Sequence, residues 1–348
     1  MLATLRGSDR RPARGVAGSV QGEAEDAVVR WGFLGAGGIA GSSLAPAVHA
    51  ADGARLVAAA ARDPSRAAAL GPDRTWPAYD ALLADDAVDA VYISLANDAH
   101  RPWTVAALQA GKHVLCEKPL ALSAAEVDTI ADAARLADRT VVEASWYRWS
   151  PRVRLAQQRL ADIGRVRHVA AGFAFPGVPE GDYRLDPGRG GGALYDIGCY
   201  AVSACLWAVG GGLPEEVAAR ARPGPSGIDL QTSALLSWAD GAQAEVDVAM
   251  DRPPAQWLVI TGERGEVELR GEPYTARGES ELWVSDGTAT ERVRVPAADP
   301  YRLMVEEVSS VLSGGPGWVL PLAESRATAA VLDAARASAS SGGGPVAP

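Results

Sequence analysis

Lysine is almost missing from this chain. Lys112 and Lys118 are the only two among 348 residues, and arginine supplies every other basic side chain. A lysine kept where arginine would serve for charge points to a use for a compact ammonium with a tunable pKa. Cysteine is scarce too: Cys116, Cys199 and Cys205 are odd in number and lack metal-ligand spacing, and the four histidines include no His-x-x-x-His pair. That pattern argues against a disulfide framework and against a metal site, and it fits a reducing cytoplasm. No run approaches 18 apolar residues, so no membrane-spanning helix is expected. A formal net charge of -10 and a pI near 5.0 argue against nucleic acid as a partner. Residues 1–27 hold Arg6, Arg10, Arg11 and Arg14, then Glu23, Glu25 and Asp26, without a signal-like apolar stretch. They read as a disordered tail or an early start codon, and residues 338–348 as a second loose tail.

What is present begins with a dinucleotide pattern. Residues 28–34 read as an apolar strand, followed by Gly35-Ala36-Gly37-Gly38-Ile39-Ala40 and a helical stretch to about His49. This is G-x-G-x-x-A in strand, turn, helix context. Gly35 permits the tight turn, Gly37 lets the backbone approach a pyrophosphate, and Ala40 is small enough for close helix-strand packing. The helix N-terminus then offers N–H groups and its dipole to the anion. The second strand, residues 56–60, ends on Ala61-Arg62, where an acid would bind the ribose 2′-hydroxyl of NAD. Asp63 could be that acid displaced by two, but Asp63-Pro64-Ser65-Arg66 reads better as an N-cap with proline in the first turn. Arg62 is left to face a 2′-phosphate, and the expected cofactor is NADP(H).

After a helix near residues 80–84, residues 88–95 form a near-continuous apolar strand that ends at Leu95 and opens into Ala96-Asn97-Asp98-Ala99-His100. A helix over residues 103–110, closed by Gly111, leads to the strand 112–116. That strand ends on Glu117-Lys118-Pro119, a charged pair and a proline. Ligands of open α/β sheets bind beyond the carboxyl ends of strands, so Leu95, Asn97, His100, Glu117 and Lys118 are expected on one rim. Each has a structural alternative, a surface ion pair for Glu117 and Lys118 and a packed helix-start ring for His100. Ser123-Ala124-Ala125-Glu126 is a capping box for a helix to Ala137, residues 140–144 form a last strand, and Ser145-Trp146-Tyr147-Arg148 crosses to a second half.

From Pro151 the pattern changes. One helix, residues 153–162, precedes a long strand at 166–175, and further strands follow near 216–221, 232–238, 242–249, 257–261, 266–270 and 281–285. Short turns such as Ala239-Asp240-Gly241-Ala242 indicate an antiparallel sheet. Between the first two strands Gly190-Gly191-Gly192 enters an apolar helix over residues 193–207, in which Asp196 and Tyr200 are spaced i,i+4 on one face. A polar pair there is either a satisfied structural contact or a site. The divisions that follow are residues 28–148 for a dinucleotide domain and 149–337 for a substrate and oligomerisation domain.

The glycine turn, Glu117-Lys118-Pro119 and Gly190-Gly191-Gly192 leading into Asp196-Ile197-Gly198-x-Tyr200 together resemble the Gfo/Idh/MocA oxidoreductases, over roughly residues 28–337. The resemblance implies an α/β fold, an N-terminal Rossmann domain plus a C-terminal α/β domain with a large, mostly antiparallel sheet. Tyr200 stands where many members carry histidine. This is similar to the branch with glucose-fructose oxidoreductase, dihydrodiol and xylose dehydrogenases and the 3-ketoreductases of nucleotide-linked deoxysugars. Ala96 departs from a proline common before Asn97, and Ala61 from a frequent serine.

The reaction so implied is hydride transfer between nicotinamide C4 and a carbon of a sugar-like ring, with Tyr200 as acid/base, Lys118 as polariser lowering the phenol pKa, and Asp196 orienting a substrate hydroxyl. Cofactor contacts are expected at Gly35, Gly37, Gly38, Ile39, Ala40, Arg62, Leu95, Asn97, His100, Glu117 and Lys118; Arg148 and Tyr183 are weaker pocket candidates. A high alanine and arginine content suggests a GC-rich genome, and the first expectation is a 3-keto-deoxysugar nucleotide reductase, with Arg184, Arg189 and Arg252 available to a diphosphate. A free aldose or cyclic trans-diol is the alternative, and a non-catalytic NADP-binding regulator the alternative of another class. A homodimer or homotetramer built on the second sheet is expected.

Overall fold

The computed structural model describes residues 28–210 and 212–348; the tail expected at residues 1–27 lies outside the described residues. The first sheet has six parallel strands, β1 (Val29–Leu34), β2 (Ala54–Ala60), β3 (Arg74–Trp76), β4 (Ala90–Ile93), β5 (His113–Cys116) and β6 (Val141–Glu143), in the order β3-β2-β1-β4-β5-β6. The order reverses at β1, so the crevice at the carboxyl ends opens between β1 and β4. Its helices are α1 (Ala45–Ala50), entered through a π-type turn at Ala40–Leu44, then α2 (Pro64–Ala68), α3 (Tyr79–Leu83), α4 (Asn97–Gln109) and α5 (Ala124–Ala137). The Ser123 side chain accepts from Glu126 N, and Asp138 in the left-handed region ends α5. The Glu126 carboxylate returns to Leu122 N rather than to Ser123, a one-residue variation on the capping box.

A 3-10 turn at Trp146–Trp149 and helix α6 (Pro151–Ile163) carry the chain to the second sheet. Its strands are β7 (Val166–Ala174), β8 (Glu216–Pro223), β9 (Asp229–Ser237), β10 (Gln243–Ala249), β11 (Ala255–Gly262), β12 (Glu266–Arg270), β13 (Ser280–Ser285) and β14 (Thr290–Val295), in the order β14-β13-β12-β11-β7-β10-β9-β8. Neighbours are antiparallel except β7 and β10, which run parallel at the middle. The apolar helix between β7 and β8 begins as a π-type turn, Leu194–Gly198, and continues as α7 (Cys199–Val209) under the sheet. Among the described residues one helical stretch, Pro187–Val209, is long and apolar enough to cross a membrane, and 83% of its 18-residue apolar window is buried in the fold.

Two helices that the sequence reading does not contain close the structure, α8 (Pro300–Leu312) and α9 (Leu322–Ser340). The Trp31 indole of β1 donates to Ser309 of α8, and Asp333 of α9 accepts from Ala124 N at the start of α5. Helix α9 thus touches α5 and β6 on one side and α7 and β8 on the other. The loose tail expected from residue 338 is not what the structure has. Ser338 is fully buried inside α9, its hydroxyl donates to Gly344 O, and Val346 pairs with Val217 of the edge strand β8. The physical reason is an open row of peptide groups on β8 that the last residues satisfy.

Candidate active site

A cavity of about 1280 Å³ lies where the carboxyl ends of the parallel strands face the second sheet. One end is built by the glycine turn. Gly35 has φ +96, and a Cβ there would come within 2.3 Å of Ser94 O, so the turn closes on β4 only with glycine. Gly37, Gly38 and Ile39 line the cavity, while Ala40 is fully buried against the sheet. Asp63 caps α2, its Oδ1 accepting from Ser65 N (2.9 Å) and Ser65 Oγ (2.7 Å), so this carboxylate is engaged. Arg62, just before the α2 N-cap, and Arg66, inside α2, both line this end of the cavity, and among the described residues neither side chain has an ion-pair or hydrogen-bond partner. Tyr79 and Trp103, edge to face with centroids 4.9 Å apart, wall it.

The expected rim divides. Leu95, His100, Glu117 and Lys118 line the cavity; Asn97 does not. Helix α4 starts six residues earlier than expected, which puts Asn97 and His100 in its first turn. Asn97 is 2% exposed and its Nδ2 donates to Gly190 O (2.8 Å), so it binds the second half rather than facing the cavity. The His100 ring nitrogens lie 2.8 Å from Pro119 O and 3.2 Å from Leu95 O, tying the ends of β4 and β5. Burial depresses its pKa, against the pull of the two carbonyls. Glu117 accepts from the Tyr92 hydroxyl (2.7 Å), and burial raises its pKa against the pull of Lys118.

The two lysines part company. Lys112 Nζ donates to Asp85 O and Val88 O, both at 2.8 Å, and pins the turn before β4. Lys118, beside a cis Lys118–Pro119 bond, donates to Asp196 O (2.7 Å) and Asp196 Oδ1 (3.2 Å), with its nitrogen 5.2 Å from the centre of the Tyr200 ring. Burial opposes its charge, but Asp196 and then Tyr200 outweigh burial and hold its pKa well above the usual lysine value. Burial likewise pushes Asp196 up, while Lys118 and Arg184, whose Nε is 3.0 Å from Oδ1, bring it below the ordinary carboxylate range.

For Tyr200 the expected lowering is overturned. Burial is the larger influence and raises its pKa, with Lys118 pulling the other way. Its hydroxyl oxygen accepts from Trp146 Nε1 at 3.0 Å. Tyr183, Arg184 and Arg189 line the cavity, whereas Arg148, paired with Glu324 (2.6 Å), and Arg252, paired with Asp247 (2.6 Å), do not. Sequence reasoning misses Arg66, Trp146, Phe173, Thr275 and Tyr301, all on the wall. A signal existed for Arg66 alone, since the Asp63 cap places it in the first turns of the helix that follows Arg62.

The turn, the unpaired arginines and the open face at Gly38 fit a phosphorylated dinucleotide, and among the described residues no cluster of acids, histidines and cysteines is arranged for a metal. Two family models match the chain, an oxidoreductase family with NAD-binding Rossmann fold over residues 29–145 and a Gfo/Idh/MocA C-terminal domain over residues 153–268. A D-xylose 1-dehydrogenase (NADP(+)) of Haloferax volcanii is 36% identical over 90% of this chain and 98% of its own. A dTDP-3,4-didehydro-2,6-dideoxy-alpha-D-glucose 3-reductase of Streptomyces antibioticus is 32% identical over 83% of this chain and 90% of its own. The crystal structure of KijD10, a 3-ketoreductase of Actinomadura kijaniata in complex with NADP and TDP-benzene, superposes with a TM-score of 0.83 at 28% identity, covering 89% of this chain and 98% of that one. With both halves matched in order and the parallel and mixed sheets in place, the chain belongs to the Gfo/Idh/MocA oxidoreductase family.

Proposed function

We propose that this protein is an NADP(H)-dependent oxidoreductase acting on a CH–OH or carbonyl carbon of an uncharged sugar or cyclic diol. The observation that carries the reading is Lys118, bound to Asp196 and lying over the Tyr200 ring at the bottom of the shared cavity. The glycine turn with Gly35, Gly37 and Gly38 would hold the pyrophosphate, and Arg62 with Arg66 the 2′-phosphate, because Asp63 is engaged as a cap. Bound there, the nicotinamide supplies or accepts the hydride. Tyr200 gives or takes the proton at its phenol oxygen, and the Lys118 ammonium stabilises negative charge on the substrate oxygen. Lys118 and Arg184 both meet Asp196 at Oδ1, which leaves Oδ2 to accept from a substrate hydroxyl.

Charge balance at the substrate end favours a neutral substrate over the nucleotide-linked one expected first. Lys118 and Arg184 are offset by Asp196 and Asp182, and Arg189 by Asp98 at 3.3 Å. Arg252 is outside the cavity. A diphosphate would have to displace carboxylates from each remaining cation, at a desolvation cost. The xylose dehydrogenase relative points the same way. The test is NADP reduction and NADPH oxidation against aldoses, inositols, trans-diols and keto-sugar nucleotides. Turnover confined to neutral sugars or diols supports the reading, and turnover confined to nucleotide-linked sugars reverses it. A regulator without catalysis would bind NADPH and turn over none of them.

A further inference from the structure

The Tyr200 ring is fixed by its neighbours. Tyr147, Phe173 and Tyr274 meet it with centroids at 5.5, 5.9 and 5.9 Å, and Lys118 lies over its face. None of these contacts directs the hydroxyl. Among the described residues the phenol oxygen has one hydrogen-bond partner, Trp146 Nε1. An indole N–H donates and cannot accept, so it takes a lone pair of that oxygen and leaves the phenol proton to point elsewhere. Trp146 is itself held firmly. It is 5% exposed, stacks on Tyr301 with centroids 4.4 Å apart and planes 20° off parallel, and sits on the short turn directly after β6. Its backbone therefore belongs to the cofactor half while its N–H reaches α7 in the other.

We propose that Trp146 is a positioning residue for proton transfer: its N–H orients the Tyr200 hydroxyl into the cavity and stabilises the phenolate left when the proton departs. This rests on Tyr200 being the proton donor and acceptor. In reduction the substrate carbonyl carbon gains a hydride with its electron pair, and the carbonyl oxygen takes the Tyr200 proton. The Tyr200 O–H bond breaks with its electrons left on oxygen, and a proton from water restores it. Oxidation is the same sequence reversed. Burial disfavours the phenolate; Lys118 is the larger influence opposing that penalty, and the Trp146 N–H, in direct contact with the oxygen, opposes it too.

A double-mutant cycle tests the proposal. Trp146→Phe keeps a ring against Tyr301 without the N–H, and Trp146→Met fills the space with a flexible chain, so that one variant serves if the other fails to fold. Each is made with Tyr200 intact and with Tyr200→Phe, and kcat, KM and the Kd for NADPH from nicotinamide fluorescence are measured. Tyr200→Phe lowers kcat by about 10²-fold or more. With Tyr200 intact, losing the N–H lowers kcat by about tenfold while KM and the NADPH Kd hold. With Tyr200→Phe it costs nothing further. An equal loss in both backgrounds would mean that Trp146 acts by packing or by touching substrate, and overturns the proposal. Near-normal turnover of Tyr200→Phe alone removes the premise instead, and the single variant tells that case apart.

Discussion

Arg62 and Arg66 are exposed, stand on either side of the α2 N-cap and have no ion-pair partner among the described residues, while Asp63 between them spends its side chain on Ser65. Two unpaired cations at one end of the cavity attract a 2′-phosphate dianion, and each replacement by alanine is expected to weaken NADP binding by about tenfold while changing NAD binding little. Titrations of both nucleotides against wild type, Arg62→Ala and Arg66→Ala check this, and equal losses for NADP and NAD would refute it. Asp196 and Lys118 give a second expectation, in stability. The folded pKa of Asp196 is lowered, so its contribution is present above the ordinary carboxylate value near 4 and is lost as pH falls through the lower folded one. The folded pKa of Lys118 is raised, so its contribution is complete below about 10.4 and fades as pH climbs through the higher folded one. The gap in Tm between wild type and Asp196→Asn should therefore be flat across neutral pH and narrow below about pH 4. A gap of the same width at pH 3 would contradict it. Lys118, Asp196 and Tyr200 were legible as candidates because charge and phenol stand out at a strand end and on an apolar helix. Trp146 and Tyr301 were not, since an aromatic side chain reads as core until a partner such as the Tyr200 hydroxyl is seen across the fold.

The helix that carries Asp196 and Tyr200 depends on how it is entered. Gly192 has φ +113, and a Cβ there would stand 2.0 Å from Asp229 Oδ1, while Asp229 Oδ2 accepts from Leu194 N (2.8 Å) and from Thr232 Oγ1 (2.7 Å). Asp229 thus caps the helix from a neighbouring strand, and the glycine makes room for the cap. Gly192→Ala is expected to destabilise the fold by about 1–3 kcal/mol in urea unfolding and to reduce turnover, because both site residues ride on this helix. Unchanged stability would show that the turn yields without cost. At this scale the strands were readable from their apolar runs and turns. Helix α4 was read six residues short, starting just after Pro102; in the structure that proline sits inside the helix and leaves the Asp98 carbonyl without an N–H four residues on. Helix α9 escaped because it is largely alanine and serine, small residues that give little apolar contrast even where they are buried.

The whole molecule is held across its cavity by the last fifty residues, with α8 against β1, α9 between α5 and β8, and the C-terminal segment paired to the sheet edge. Two packed halves were legible from the change of pattern at Pro151, but the return of the final helices was not, because a contact such as Asp333 with Ala124 has no local signature. The outer face of the eight-stranded sheet, which carries Leu235 at 41% exposure, is open in the single chain. We propose that copies associate through that face, and light scattering at micromolar concentration should give a dimer or tetramer that Leu235→Lys weakens. A monomer for wild type would end this idea.

The choice of that measurement follows from the two lysines. Lys112 has its ammonium spent on two carbonyls and Lys118 is held by Asp196 with a side chain only 14% exposed. Amine-directed reagents therefore find almost no handle on the outside of this protein. A failed crosslink between copies would say nothing about whether they meet, and acylation of Lys118 that silenced the enzyme would report on the cavity rather than on the surface.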